Sequence, residues 1–158
     1  MINTDSLAAR DEFLSFRLGA EEYAIDILQV REIRAHEAVT RIANTPGFIK
    51  GVIHLRGTIV PIVDMRIKFG TPHAGIDAST VMIVLDINGR RIGILVDAVS
   101  DVVALSPDEI RPAPPMQGVI DAGFIRGLAP IEGRMLILLD ITRLMSSREM
   151  ALADEAAG

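Results

Sequence analysis

A stretch of twenty residues recurs in this chain in altered form. Phe48–Ile67 can be laid over Phe124–Arg143 at an offset of 76 with no gap. Phe48 then meets Phe124, Ile49 meets Ile125, Gly51 meets Gly127, Gly57 meets Gly133 and Asp64 meets Asp140; Lys50 meets Arg126. A second, weaker match runs at an offset of 69, where Leu14, Phe16, Leu18, Tyr23, Ile25, Ile27, Val30 and Ile33 meet Ile83, Leu85, Ile87, Ile92, Ile94, Val96, Val99 and Val102. Any two Ile/Val hairpins resemble each other, which accounts for the weaker match. It accounts poorly for an ungapped pairing of two glycines, an aspartate and a Phe-Ile pair. The chain of 158 residues is about two offsets long. It reads as two similar small β units of four or five strands each. Antiparallel units of this size remove their open edges by closing into barrels.

Local patterning supports strands. Ile and Val together number 33, and β-branched side chains fit a pleated, half-buried surface. Phe13 to Leu18 and Tyr23 to Ile27 alternate around Gly19-Ala20-Glu21-Glu22, a hairpin signal. Residues 27–35 fit either one helical turn or a strand with a bulge. Val52–Leu55 and Thr58–Met65 read as strands joined tightly at Arg56-Gly57. Val81–Ile87 and Ile92–Val99 flank Asn88-Gly89, a type I′ turn signal. Ser106-Pro107-Asp108-Glu109 has the cap, proline and acids of one helical turn. Pro112, Pro114 and Pro115 make a stiff connector. Phe124–Ile131 and Arg134–Ile141 form a further hairpin, and Thr142–Ala153 can be one amphipathic helix. Residues 1–12 are polar and expected to be frayed, 70–79 form a loop, and 151–158 form a tail.

Composition excludes several function classes. The absence of cysteine removes disulfides, thiolate nucleophiles and Cys-ligated zinc. A formal charge of −5, with only Lys50 and Lys68 as lysines, makes nucleic acid a poor partner. No apolar run approaches the roughly 18 residues of a membrane span, and the N-terminus has no apolar signal region. The expected location is cytoplasmic. No two glycines are separated by a single residue, so a dinucleotide fingerprint is missing, as is a phosphate-binding GxxxxGK[ST] loop. No cofactor is expected. His36, His54 and His73 lack ligand spacing, so no metal is expected. Asp64, Asp86, Asp97 and Asp140 lie near strand ends and could do acid–base work. Their plainer role is to cap turns and pair with arginines. No nucleophile motif occurs, and the chain reads as a binding protein rather than an enzyme, with a small-molecule-binding or hydrolytic barrel using those aspartates as the alternative.

The stretch Asn44-Thr45-Pro46-Gly47-Phe48-Ile49-Lys50-Gly51-Val52-Ile53-His54-Leu55-Arg56-Gly57-Thr58-Ile59-Val60-Pro61-Ile62-Val63-Asp64 resembles the signature of CheW, the bacterial chemotaxis coupling family. The resemblance extends through Glu22–Ile27, Gly93–Asp97, Val99–Val102, Ile110–Pro114, Gly127-Leu128 and Arg134–Leu138 with Asp140. It covers about residues 13–150. One departure is His54, where many members carry Asn. The resemblance implies a mainly β fold of two SH3-like five-stranded barrels with a few short helices and a C-terminal helix. Approximate subdomains would be 13–77 and 78–145, with terminal strands able to cross between them.

It also implies a non-catalytic adaptor joining the cytoplasmic signalling tip of a chemoreceptor to the regulatory domain of the histidine kinase CheA, recruited to membrane-associated receptor arrays. The kinase domain is similar to this fold, so ring assembly with it or with other copies is implied too. Carried over by position, Val30, Glu32 and Arg56 face the receptor, with Ile33 beside them. The kinase is expected on the second repeat, around the hairpin Val81–Val99. From the residues themselves, Gly57 is expected to adopt positive φ in the turn. Gly51 and Gly127 are expected to mark a bulge or a close backbone approach.

Overall fold

A computed structural model describes residues 10–69, 79–114 and 122–146. Ten strands run in chain order: β1 Asp11–Leu18, β2 Glu21–Asp26, β3 Val30–Ala35, β4 Ile49–Leu55, β5 Thr58–Asp64, β6 Val81–Ile87, β7 Arg90–Val96, β8 Ala98–Leu105, β9 Ile125–Ile131 and β10 Arg134–Leu139. Two short helices follow strands at repeat-equivalent places, α1 Met65–Lys68 and α2 Ile141–Met145. A 3₁₀ turn, Ile27–Gln29, precedes β3, and a register shift lies between Val30 and Glu32. The ambiguous segment 27–35 therefore contains both a helical turn and a bulged strand.

The strands form two five-stranded sheets, β8-β1-β2-β10-β9 and β3-β6-β7-β5-β4. These are the two SH3-like units. Their membership corrects the division near residue 77. Each sheet takes strands from both repeats, because the hairpin β1–β2 joins β8, β9 and β10, while β6–β7 joins β3, β4 and β5. The exchange is made by two parallel pairings, β2 with β10 and β5 with β7. The crossing thus involves whole hairpins, not only terminal strands. We call the sheet containing β3 the first barrel and that containing β8 the second.

Burial explains why the exchanged hairpins read as nearly continuous apolar runs. Successive strand side chains point to opposite faces, and here both faces are covered. In β6, Met82 and Val84 enter the core of the first barrel with Ile53, Leu55, Val60 and Ile62. The intervening Ile83, Leu85 and Ile87 face Leu14, Phe16 and Leu18 of β1 in a shared core between the barrels. Phe13 and Leu105 fill the second barrel with Leu136 and Leu138. Each such side chain, fully buried, contributes roughly 1.5–3 kcal/mol. The consequence reaches function. The hairpin Val81–Val99, expected to carry the kinase surface, is interior and belongs with β3 to the first barrel.

That hairpin also ends earlier than expected. The chain bends at Asp97, whose carboxylate accepts a hydrogen bond from the Gly19 amide at 2.7 Å. It then enters β8, a strand missing from the sequence reading.

The barrels are closed by the chain leaving each edge strand. Beyond β3, Thr40 bridges Val52 of β4; beyond β8, Arg111 bridges Leu128 of β9. At each closure a glycine is required by space. A Cβ on Gly51 would lie 2.1 Å from the Thr40 carbonyl oxygen, and Gly51 has φ 145°. A Cβ on Gly127 would lie 2.7 Å from that of Arg111. Close approach and bulge are both present, since the β4–β5 register shifts between Ile49 and Gly51.

α2 ends by Ser146, which takes the C-cap. The remainder of the expected helix Thr142–Ala153, the frayed segment through residue 9, most of the 70–79 loop, Pro115 and the 151–158 tail lie outside the described residues.

Candidate functional site

The hairpin β4–β5 turns through Arg56 and Gly57, with φ 47° and 83°. This is the mirror-image two-residue turn whose twist suits paired strands, and it demands positive φ at both positions. Gly57 supplies it freely. Arg56 occupies a place that Asn, Asp or Gly fills at lower cost. Asn88-Gly89 and Glu132-Gly133 turn in the same way.

From this mount Arg56 reaches back to β3. Its Nη2 donates to Glu32 Oε2 at 3.1 Å. β3 and β4 lie at opposite ends of the sheet order, so the ion pair spans the seam where the first barrel closes. The other oxygen, Glu32 Oε1, accepts from Arg34 Nη1 at 3.3 Å. With both oxygens engaged, Glu32 fixes the guanidinium rather than standing free. Its carboxyl is held below the usual glutamate range, chiefly by the hydrogen bond from Arg56. The Arg56 side chain remains 70% exposed. A charged fork is thus oriented but still wet, so little rotamer freedom is left to lose on binding.

Val30, Glu32 and Arg56 line one shallow groove of about 340 Å³ with Arg31, Arg91, Leu55 and Val84. Leu55 and Val84 border it but are buried, their side chains belonging to the first-barrel core. Three arginines and one glutamate surround it. Ile33 is not part of this groove; it is 46% exposed on the alternate face of β3. His54 is exposed opposite Ile59 in the ladder, away from the buried Ile53 and Leu55. Sequence reasoning missed Arg31 and Arg91. Arg91 lies on β7 of the other repeat, which only the strand exchange brings here.

The repeat provides an internal control. At equivalent positions of the second barrel, Asp101 replaces Glu32, Glu132 replaces Arg56, Glu22 replaces Arg91 and Ser100 replaces Arg31. Arg134 is held there by Glu22 at 2.7 Å and Asp101 at 3.6 Å. The same backbone seam therefore carries opposite charge in the two barrels.

The strand-end aspartates are committed to structure. Asp64 caps α1 through the Arg66 amide and grips the Arg66 guanidinium through both oxygens at 3.0 Å, with both side chains fully buried. Asp86 accepts the Gly89 amide in its turn. Asp97 binds Gly19 and contacts Arg66 at 3.5 Å. Asp140 caps α2 through the Arg143 amide. Asp64 and Asp97 meet only at Arg66, whose guanidinium holds both, while Asp86 and Asp140 each serve their own turn or cap; the reading as a barrel that works through them finds no support. Among the described residues no group of three or more His, Asp or Glu is placed to hold a metal. Likewise, no described helix is long and apolar enough to cross a membrane.

Comparisons with known proteins agree with this architecture. The family model described as CheW-like domain matches residues 12–149. The chain is 55% identical over 146 residues to the chemotaxis protein CheW of Klebsiella aerogenes, covering 92% of this chain and 88% of that one. It is 37% identical over 142 residues to the chemotaxis protein CheW of Rhizobium meliloti, covering 90% and 92%. The crystal structure of the scaffolding protein TtCheW from Thermoanaerobacter tengcongensis superposes with a TM-score of 0.80 at 33% identity, covering 89% of this chain and 90% of that one.

Proposed function

This chain belongs to the CheW family of chemotaxis proteins, and we propose that it works as a non-catalytic cytoplasmic adaptor between the signalling tip of a chemoreceptor and the regulatory domain of the kinase CheA. The observation that carries the reading is the oriented Arg56–Glu32 pair at the first-barrel seam. A receptor tip is a helical hairpin, and helices offer carboxylates and C-terminal carbonyls that suit a five-donor fork. An oriented arginine flanked by Val30 has the composition of a binding hot spot. We assign Val30, Glu32 and Arg56 to the receptor, and extend the surface to Arg31 and Arg91. Ile33, on the alternate face of β3, would meet only a partner that wraps over that edge strand.

The kinase is assigned to the second barrel. Val102 on β8 and Met135 on β10 are about half exposed there. They are the repeat-mates of Ile33 and Ile59, also exposed. A kinase domain similar to this fold could meet such paired patches pseudo-symmetrically, and further copies could extend the contact into rings beneath a receptor array. Transmission requires that one of these contacts differ in strength between signalling states.

Pull-downs with a receptor signalling tip and with the kinase regulatory domain test the assignment. Each should be captured by the wild-type chain, and Arg56→Ala should lose the receptor while keeping the kinase. Capture of neither would overturn the reading.

A further inference from the structure

A second concave region lies away from the Arg56 seam. Two adjoining cavities, of about 420 and 360 Å³, share Arg41, Gly47, Ile49 and Lys50 in their walls. One continues along the loop 42–46, and the other runs past His36 and Val39 to Ile67. Together they form an elongated groove beside β4. Its lining is mixed, with apolar surface from Ile67, 42% exposed, beside the buried Ile49. Its rim carries Arg41, Lys50 and His36, and no carboxylate lines either part. Neither Arg41 nor Lys50 has an ion-pair partner among the described residues. In a chain of net charge −5 this is a local reversal of sign.

The second barrel differs at one repeat-equivalent contact. There Arg143 stands at the position of Ile67 and Gly123 at that of Gly47. Arg143 Nη1 donates to the Gly123 carbonyl oxygen at 3.0 Å, tying Gly123 to α2. Ile67 has no donor to make that strap. The first-barrel groove is left open, with an apolar side chain presented where its counterpart presents a clasp.

We propose that this groove docks an acidic, amphipathic segment of a protein partner in extended conformation, apolar side chains on Ile67 and carboxylates on Arg41 and Lys50. Its shape and chemistry select that occupant. A small free anion needs converging donors, whereas here two cations stand beside the apolar Ile67. A membrane surface is flat, and a concave trough does not conform to it. An extended peptide alternates its side chains between two faces and so meets Ile67 and the rim together.

The test uses the full chain and a fluorescein-labelled dodecapeptide of alternating leucine and glutamate, followed by anisotropy. Wild type should bind it and ignore the leucine–lysine counterpart. The double variant Arg41→Glu/Lys50→Glu should weaken binding at least tenfold. Ile67→Arg, which restores the strap of the second barrel, should also weaken it, although it adds a positive charge; general electrostatic attraction would predict the reverse. Circular dichroism melts confirm that both variants are folded, and Arg41→Ala, a milder change at an exposed site, should give a smaller loss. Receptor-tip binding should be unaffected, which separates this groove from the Arg56 seam. Three results overturn the proposal. The first is no binding of the acidic peptide, or equal binding by the charge-reversed variant. The second is tighter binding by Ile67→Arg. The third is displacement of the peptide by inorganic phosphate, or by vesicles of phosphatidylserine and phosphatidylcholine, which would assign the groove to a phosphate group or a lipid surface instead.

Discussion

Replacing Arg56 by alanine and by asparagine separates what the tip does for folding from what it does for binding. Arg56 has φ 47°, and a residue with a Cβ in the left-handed region costs roughly 1–2 kcal/mol. Against this stands one ion pair to Glu32, joining a side chain 70% exposed to one 23% exposed. Pairs as wet as this contribute about 0–1 kcal/mol. Alanine removes the pair and keeps the strain, so stability should fall by no more than about 1 kcal/mol, or about 2–4 °C in Tm for a chain of this size. Asparagine removes the pair but tolerates the left-handed conformation, so it should match or slightly exceed wild type and exceed alanine by about 1 kcal/mol. Both should lose receptor-tip affinity at least tenfold, a loss of about 1.4 kcal/mol. Kinase affinity should not change. Urea melts give the first quantity and calorimetric titration the second. The reasoning fails if asparagine proves less stable than alanine. It fails equally if either variant binds receptor normally, or if receptor and kinase binding vanish together.

Three further outcomes are expected. Gly51→Ala should destabilise by about 2–4 kcal/mol, because its Cβ meets a backbone oxygen and its φ is unfavourable for any side chain; Gly127→Ala, with the longer approach, should cost less in the same melts. Arg66→Met should cost about 3–5 kcal/mol by leaving Asp64 buried without its cation, and Arg66→Met/Asp64→Asn should recover much of that loss while keeping the cap. Glu32 has a depressed pKa, so its contribution is present above the ordinary glutamate range and is lost as pH falls through the lowered value; by carboxyl NMR, its titration should move upward in Arg56→Ala yet stay influenced by Arg34.

The repeat made the strands legible but not their partners. β4–β5 and β9–β10 occupy the equivalent ranges 49–64 and 125–139, as the ungapped match implies. β8 escaped because Ser100 and Asp101 interrupt its apolar pattern. Its exposed edge needs no alternation, and the pairing of Ile33 with Val102 at offset 69 was the available signal. Strand exchange has no local signature. A hairpin's turn fixes its own register, while the parallel pairings β2–β10 and β5–β7 join residues far apart in the chain. For the same reason Val30, Glu32 and Arg56 could be grouped by resemblance, whereas Arg91 enters the site only through the fold. The strain at Arg56 was half legible: Gly57 announced a tight turn, but the turn type decides that its neighbour must share the positive φ.

Duplication alone would defeat an adaptor, because two barrels on one backbone plan offer two equivalent seams. Side-chain charge breaks that equivalence here. The first seam sets Arg31, Arg56 and Arg91 against Glu32, while the second sets Asp101, Glu132 and Glu22 against Arg134. A partner presenting carboxylates is drawn to one and repelled by the other. Repulsion at the wrong site contributes to specificity as directly as attraction at the right one. The mounts differ less than the charges, since Arg56-Gly57 and Glu132-Gly133 share nearly the same backbone angles. The two seams are also tied together mechanically, because β1–β2 and β6–β7 each line one barrel and the core shared by both. Repacking one barrel would disturb the other, in a core that tolerates little change in volume. On the assignment proposed above, discrimination between partners would therefore be carried by the side chains at the seams, on a scaffold that holds both in fixed positions.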